Sequence, residues 1–435
     1  MASIPTSQKG QTLDSARRPL IQATLALIAR SGVRGATLRD IGRACDVNIA
    51  TISNLFENKE GLVAECFAAA VEADRIYLDA WIDEAAALKP DAALLAPILW
   101  GLVEDAASAH RTPTLALTEL WLNARASPRY GEICHAWLLN RRNGFHRLAA
   151  ITGLAPAAME AIGLYLLTEA AFSVSCFQSL AYRLNAGLLL RDVVARLAGR
   201  DRDADPDGET SRLSALFYAE PDPDGGAQPL ADHKGRQARS RESRARIIDA
   251  AAAIIEESGL SAVTNRAVAE RAGVSLALTT YHFSSINELT FVGTLRVFQK
   301  ANRVLETDRN GGHGPNRIRS RQEAAARIKS AGQDSGVERV RNRGMIEIAL
   351  AAARDPAFGD LGLGMRRQRG TITYSATRAL EDGGPSRAMA AGYALWSSAA
   401  HLTQSAMGGG AAIFDLPAQA ELTAERLLRP YTNRP

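Results

Sequence analysis

Side chains suited to reading DNA base edges occur in two separate groups along the 435-residue chain. Asparagine can form two hydrogen bonds with adenine, and the methyl groups of alanine and threonine can contact the methyl group of thymine. Both groups could therefore contact bases in the major groove, provided that the members of each group lie on one exposed helix. The first group consists of Asn48, Ala50, Thr51, Ser53 and Asn54, and the second of Ser275, Ala277, Leu278, Thr280, Tyr281 and His282.

The two groups lie in two copies of one longer stretch, residues 37–62 and 264–289. The offset between the copies is constant (264 − 37 = 227; 289 − 62 = 227), and the helix preceding each copy is repeated as well. Solenoid repeats have periods of about 20 to 50 residues, so this repeat is a duplicated domain. The shared residues are Thr37, Arg39, Val47, Ala50, Phe56 and Leu62, which recur as Thr264, Arg266, Val274, Ala277, Phe283 and Leu289.

Each copy predicts two short helices joined by a tight turn. Thr37 and Thr264 can cap the leading helix, and Asn48 and Ser275 can cap the second helix. This arrangement is a helix-turn-helix, whose second helix enters the major groove. A helical hairpin inside a bundle is the alternative, and two copies with the same caps and turn make it the weaker interpretation.

Polar and basic side chains beside the base-reading groups are candidates for contact with DNA phosphates, which position a protein without carrying sequence information. Lys59 is predicted at a helix start, where the helix dipole favours anions. Residues 234–246 form a basic run with one acid, and such arms reach into the adjacent minor groove. A solvated surface is the alternative for this run and for the start of the first helix. The candidates are Arg17, Arg18, Thr37, Arg39 and Lys59, with Arg236, Arg239, Arg241, Arg244, Thr264 and Arg266 in the second half.

Residues 273–289, GVSLALTTYHFSSINEL, resemble the signature of the tetracycline-repressor (TetR) family, and residues 47–62 keep part of it. The resemblance covers about 50 residues in each half. Asp46 replaces the turn glycine, Ser53 and Thr280 replace a tyrosine, and Ile286 replaces a lysine. In the family, that tyrosine and lysine hold DNA phosphates. The retained residues are Val47, Thr51, Phe56, Lys59 and Leu62 in the first copy, and Gly273, Val274, Ser275, His282 and Phe283 in the second.

The resemblance implies an all-α fold with two TetR-like halves. Each half would have a three-helix head containing the helix-turn-helix and a helical effector and dimerisation domain, and the halves would form an intramolecular pseudo-dimer. The expected domains are a first head at 13–62, a first effector domain at 63–198, a second head at 236–289 and a second effector domain at 290–430. Residues 199–235 are rich in Asp, Pro and Gly and predict a disordered linker, although 213–218 could dock.

The resemblance also implies a small-molecule effector in the helical domains. Core packing is the alternative role for every candidate, and the apolar helices around 157–180 and 387–407 are expected to join the halves as a four-helix bundle. Glu119 and Glu347 stand at an offset of 228 (347 − 119), so the duplication extends into these domains. The candidates are Glu119, Trp121, Trp137, Phe172 and Cys176, with Met345, Glu347, Tyr393, Trp396, His401 and Gln404 in the second half.

Composition narrows the function classes. The net charge of +4 means that a nucleic-acid site must come from local clustering. The four cysteines have no metal-ligand spacing and are expected to be reduced thiols of a cytoplasmic protein. No segment approaches the roughly 18 apolar residues of a membrane span. The chain also lacks a nucleotide-binding glycine loop and a nucleophile motif, so neither an enzyme nor a cofactor is predicted.

The sequence therefore predicts a transcriptional regulator, with repression as its expected effect. Its expected partners are a double-stranded DNA operator with two unlike half-sites and a small-molecule effector that releases it. Whether the tandem chain pairs again as a homodimer stays open. The alternative is an interaction or co-regulator protein in which one or both heads no longer bind DNA.

Overall fold

The computed structural model describes residues 7–91, 93–201, 205, 208–218, 236–258, 262–286, 288–290, 292–297, 318–330, 336–355, 359–378, 380–408 and 412–430. Over these ranges the secondary structure is helical and contains no strand, which confirms the predicted all-α class.

The described residues before 199 form nine α-helices, and the first three of these form a compact head. The two short helices of this head pack against the first helix and the start of the fourth. The helices are α1 Ser7–Gly35, α2 Leu38–Cys45, α3 Ile49–Phe56, α4 Lys59–Ala87, α5 Leu95–Ala107, α6 Arg111–Asn123, α7 Pro128–Thr152, α8 Pro156–Cys176 and α9 Leu180–Leu197.

The remaining described helices start with α10, Glu209–Phe217, and the second half follows it. Its head begins with a long helix and two short ones, as in the first half. The helices are α11 Arg236–Ser258, α12 Asn265–Ala272, α13 Leu276–His282, α14 with helical residues 286, 288–290 and 292–297, α15 Arg321–Ser330, α16 Gly336–Arg354, α17 Gly359–Gln368, α18 Thr371–Thr377, α19 Arg387–Met407 and α20 Leu416–Leu427.

The predicted caps are present in both heads. Thr37 accepts a hydrogen bond from the Asp40 amide at 3.2 Å, and Thr264 accepts one from the Ala267 amide at 3.1 Å. The turn between the short helices uses a left-handed residue in each head, with φ of 54° at Asp46 and 63° at Gly273. The same turn is therefore made with and without glycine, since aspartate tolerates this conformation better than most residues.

Helix α8 lies at the centre of the molecule and connects the two halves. It packs on α5 and α7 of its own half and on α16, α17, α19 and α20 of the other. Its length and composition would suit a membrane span, but 89% of its most apolar window is buried inside the fold. Helix α8 is apolar on all sides because the other helices of the protein bury it.

A buried ion pair joins α8 to α17. Glu169 and Arg366 are both fully buried, and the guanidinium donates to the two carboxylate oxygens at 3.0 and 2.9 Å. Tyr165 and Tyr182 donate to the same carboxylate at 3.0 and 2.9 Å. The carboxylate thus has four donors, which compensate its removal from water.

The linker prediction is wrong for residues 209–217. These residues form α10, which packs on α9 and α19 and buries Thr210, Ser214 and Phe217. Beyond it, the Tyr218 hydroxyl accepts a hydrogen bond from Arg366 at 3.1 Å. The short apolar segment docks because it can cover the junction between the halves. Residues 202–204, 206–207 and 219–235 lie outside the described part of the chain.

Candidate functional sites

Helix α3 presents the base-reading group of the first head. Ile52 and Phe56 are buried and anchor the helix, whereas Ala50 and Asn54 are exposed. The Asn48 amide oxygen accepts hydrogen bonds from the Thr51 amide at 2.7 Å and the Thr51 hydroxyl at 2.9 Å. Because that oxygen caps the helix, it is not free for a bidentate contact with adenine, and Asn54 is the asparagine that remains available.

The predicted phosphate contacts of the first head differ in availability. Arg17 is paired with Glu65, and its guanidinium carbon lies 4.9 Å from the centre of the Phe56 ring. Arg18 and Arg39 are exposed. Lys59 is half-buried, with Nζ 3.4 Å from the Arg34 carbonyl, and burial lowers its pKa. Arg17 therefore binds inside the head, while Arg18 and Arg39 face solvent.

Helix α13 presents the base-reading group of the second head. Ser275 caps this helix by accepting from the Leu278 amide, while Ala277 and Tyr281 are exposed, Tyr281 to 77%. The Thr280 hydroxyl donates within its own helix. The His282 ring lies 3.0 Å from the Ser243 hydroxyl. Partial burial, followed by the nearby Arg244 charge, lowers the pKa of His282, which keeps the ring neutral at pH 7.

The basic run before the second head is helical from Arg236 onwards, since it forms the start of α11. It was predicted as an arm, and the side chains of Arg236 and Arg239 lie outside the described residues. Arg241 is exposed, and the Arg244 guanidinium lies 5.1 Å from the Phe283 ring centre. Arg246, which was not predicted as a site residue, donates to the Ala272 and Gly273 carbonyls and holds the turn. Thr264 and Arg266 are exposed at the start of α12.

The first effector domain contains a small cleft of about 40 Å³ that is lined by residues of helices α4 to α8. Of the predicted effector residues, Trp121 and Trp137 line it. Phe172 and Cys176 are buried on α8, while Met345, Tyr393, Trp396 and His401 are buried in the second half, where Gln404 is half-buried near the end of α19. Glu347 is paired with Arg343. The polar lining residues Tyr77, His110 and Arg141 were missed, because no local motif marks them.

The polar end of this cleft is built around Asp74, which is 1% exposed. Arg141 binds both carboxylate oxygens, with Nε at 2.8 Å, and the Trp137 indole donates at 2.9 Å. Burial alone would raise the pKa of Asp74, but Arg141 and His110 outweigh it and hold the pKa below its usual value. The His110 ring stacks on Tyr77 at 4.1 Å, and Tyr77 donates to Asp105.

Glu119, also a predicted effector residue, instead links the first head to the second half. Its carboxylate lies 2.7 Å from Arg354, which donates to the Ala29 carbonyl at 3.0 Å and the Ile28 carbonyl at 3.2 Å. Gly32 breaks α1 at this point with φ of 72°. A Cβ atom at Gly32 would lie 2.9 Å from the Glu119 carboxylate, so the close approach requires glycine.

The comparisons with known proteins agree with the geometry of the two heads. The model of the family described as bacterial regulatory proteins, tetR family, matches residues 20–66 and again residues 247–291. The chain therefore carries the DNA-binding helix-turn-helix unit of TetR-family regulators twice. The predicted fold of two TetR-like halves is confirmed.

A solved structure of a transcriptional regulator from Streptomyces coelicolor A3(2) is 21% identical, with a TM-score of 0.33. That match covers 42% of this chain and 98% of the other, and no conclusion about this chain follows from it. The search of curated proteins gave no match.

Proposed function

We propose that the chain binds one operator with two unlike half-sites through its two heads, and that it represses transcription until a small molecule releases it. The observation that carries the proposal is that the heads share caps and turn but expose different side chains. The exposed Ala50 and Ala277 are equivalent, whereas the exposed Asn54 of the first head is replaced by the exposed Tyr281 in the second (54 + 227 = 281). Different exposed side chains on the same scaffold read different bases.

The contacts between the halves support an intramolecular pseudo-dimer. Helices α8 and α9 pack on α19 and α20, so apolar helices of one half cover those of the other within one chain. Two heads joined in this way could reach half-sites about one helical turn, roughly 34 Å, apart. The proposed heads span 13–62 and 236–289, and the effector domains span 63–198 and 290–430. A regulator of chromosomal DNA would act in the cytoplasm.

The cleft lined by Trp121 and Trp137 is the proposed effector site. It opens beside α6, and the same helix carries Glu119, which holds Arg354 and the end of α1. A ligand that moves α6 would therefore shift the first head relative to the second half. Such a ligand changes DNA affinity only by the difference in its affinity for the two arrangements.

The second candidate is a regulator in which the first head no longer binds DNA and serves as an interaction surface. It is favoured by the loss of free polar groups in that head, since Arg17 is paired with Glu65 and the Asn48 oxygen caps α3. The second head would then provide the DNA contact.

DNase footprinting of the upstream region, with fluorescence anisotropy across a salt series, tests both candidates. Asn54→Ala should weaken protection of one half-site and Tyr281→Ala that of the other, each by about tenfold or more. Asn143→Ala, the same substitution at an exposed position of α7, should leave both unchanged. Binding should weaken with rising salt. Protection lost only in Tyr281→Ala would support the second candidate, and no protection at low salt would refute both.

A further inference from the structure

The second helix of each helix-turn-helix begins with a large apolar side chain that was not predicted as a site residue. Ile49 begins α3 and Leu276 begins α13, at equivalent positions (49 + 227 = 276). We infer that both side chains contact the 5-methyl group of a thymine, so that the two unlike half-sites share this thymine and differ at the bases that the next helical turn reaches. This inference rests on the proposed function, because it names base positions within the proposed operator.

The exposure of these two side chains is unusual within the heads. Ile49 is 46% exposed and Leu276 is 52% exposed, although aliphatic side chains of this size are usually buried. Among the described residues of the two heads, the only other exposed large hydrophobic side chain is that of Tyr281, which also lies on α13. Single exposed apolar side chains are common on protein surfaces. Their restriction to α3 and α13 indicates that this element of each head has an apolar surface to cover.

The helix caps place the two side chains at the same point of each head. Asn48 accepts a hydrogen bond at 2.7 Å from the amide three residues further on, and Ser275 accepts the equivalent bond at 3.2 Å. Ile49 and Leu276 are therefore both the first residue after the cap. The N-terminal residues of the second helix are those that contact base edges when a helix-turn-helix lies in the major groove.

The buried residues of each helix define its exposed face. The fourth and eighth residues are buried, as Ile52 and Phe56 in α3 and as Thr279 and Phe283 in α13. With 3.6 residues per turn, the first, second, fifth and sixth residues share the remaining face. The first turn of this face is apolar in both heads, whereas the second turn changes between them. The first-turn pairs are Ile49–Ala50 and Leu276–Ala277, and the second-turn pairs are Ser53–Asn54 and Thr280–Tyr281.

The chemistry of the first turn favours thymine. Ile49 and Leu276 carry no side-chain hydrogen-bonding group, and the 5-methyl group of thymine is the apolar feature of the major-groove base edges. Covering a donor or an acceptor of another base with an aliphatic side chain would leave that polar group without a partner, which costs free energy. The second turn offers an amide at Asn54 and a phenol at Tyr281, which have different hydrogen-bonding patterns. The half-sites are therefore alike at one thymine and unlike beyond it.

Uracil interference on the protected upstream DNA tests the inference, because uracil differs from thymine only in lacking the 5-methyl group. DNA containing occasional uracils is incubated with the full chain, and the bound and free molecules are separated on a gel and cleaved at uracil. Wild-type protein should select against uracil at a thymine in each half-site by about fourfold, since burial of one methyl group contributes roughly that factor.

Alanine variants assign each selection to a side chain. Ile49→Ala should abolish the selection in one half-site and Leu276→Ala that in the other, because alanine is too short to reach the methyl group. Ile76→Ala and Leu184→Ala remove isoleucine and leucine side chains outside the heads that are 55% and 49% exposed, and both selections should persist. Circular dichroism checks that every variant keeps its helical content.

Protection of DNA without selection against uracil would overturn the inference and leave the proposed function intact. Selection in one half-site alone would overturn the shared thymine. Selections that survive both Ile49→Ala and Leu276→Ala would show that other side chains contact the methyl groups. If well-folded wild-type protein protects no DNA at low salt, the proposed function fails and the inference fails with it.

Discussion

Glu169 and Arg366 make the one contact in the described residues where both members of an ion pair are fully buried. Glu169→Gln keeps the shape but leaves Arg366 buried without its counter-charge. We expect the free energy of unfolding to fall by about 3 to 5 kcal/mol. Urea unfolding followed by circular dichroism measures it. Glu425→Gln, at a half-exposed carboxylate that pairs with Arg429 and Arg321, should cost only about 1 kcal/mol. If both variants lost the same free energy of unfolding, burial would not be what makes the Glu169–Arg366 pair important for stability.

Asp74 should make stability depend on acid pH. Its pKa is lowered in the folded chain, so its contribution is present above the unfolded pKa, about 3.9, and is lost as pH falls through the lower folded pKa. We expect Asp74→Asn to be less stable at pH 7 and to show a flatter decline between pH 5 and the acid limit. Thermal unfolding across pH measures this. Asp83→Asn, on the exposed surface, should keep the wild-type slope.

The cysteines should differ sharply in reactivity. Burial raises the pKa of the Cys66, Cys134 and Cys176 thiols to about 12, whereas Cys45 is partly exposed. Because the thiolate is the nucleophile, a pulse of iodoacetamide at pH 8 should modify Cys45 and spare the other three until the first half unfolds. Peptide mass spectrometry gives the site. If iodoacetamide modified Cys176 in the folded protein as fast as Cys45, this result would contradict the buried position of α8.

At the level of single residues, the sequence showed which side chains could cap a helix or contact DNA, but it did not show which of these roles each side chain has. Asn48 could cap a helix or read adenine, and only the position of its oxygen shows that it caps. Asp74 and Arg141 are 67 residues apart in sequence, so no local pattern could predict that they meet. Arg246 was one of six basic residues in a run, and its bonds to the turn depend on the packing of α11 on α12.

Helix α10 acts as a strap across the junction of the halves. Phe217 is buried, and its neighbour Tyr218 contacts Arg366 and stacks under the Arg387 guanidinium at 4.3 Å. Phe217→Ala should release α10, so amide exchange should accelerate in residues 209–218 with little change in the heads. Leu216→Ala, at a neighbouring side chain that is 76% exposed, should exchange like wild type. Unchanged exchange in Phe217→Ala would show that α10 is held by its polar contacts alone.

Secondary-structure elements could be predicted where the residues that determine them are close together in the sequence. Caps and turns depend on a few adjacent residues, so both helix-turn-helix units could be located from the sequence. Helix α10 was predicted as part of the linker because the residues that stabilise it are distant in sequence or belong to the other half. These residues are Asn185, Arg191 and Arg366. Gly370, with φ of 78°, separates α17 from α18 because α19 passes within 2.4 Å of where its Cβ would stand. The break between α17 and α18 depends on packing against α19, so helix propensities along the sequence do not predict it.

At the level of the whole molecule, the sequence predicted the duplication, since an offset of 227 is visible without any structure. It could not predict how the halves diverged inside. The heads kept their fold and changed exposed side chains such as Asn54 and Tyr281, while in the effector domains Trp121 and Trp137 of the first half correspond to Ala349 and Met365 of the second (121 + 228 = 349; 137 + 228 = 365). Conservation of the scaffold is set by packing, and divergence is tolerated where a side chain faces solvent or a cavity.

The packing of α8 against α19 and α20 has a consequence for gene dosage. A regulator assembled from separate subunits loses active dimers with roughly the square of its concentration when a growing cell dilutes it. Here the partner is supplied by the same polypeptide at a fixed effective concentration. If the two heads act as the proposed pair, promoter occupancy should follow the first power of protein abundance, and a daughter cell that inherits few molecules should keep a larger share of its promoters bound.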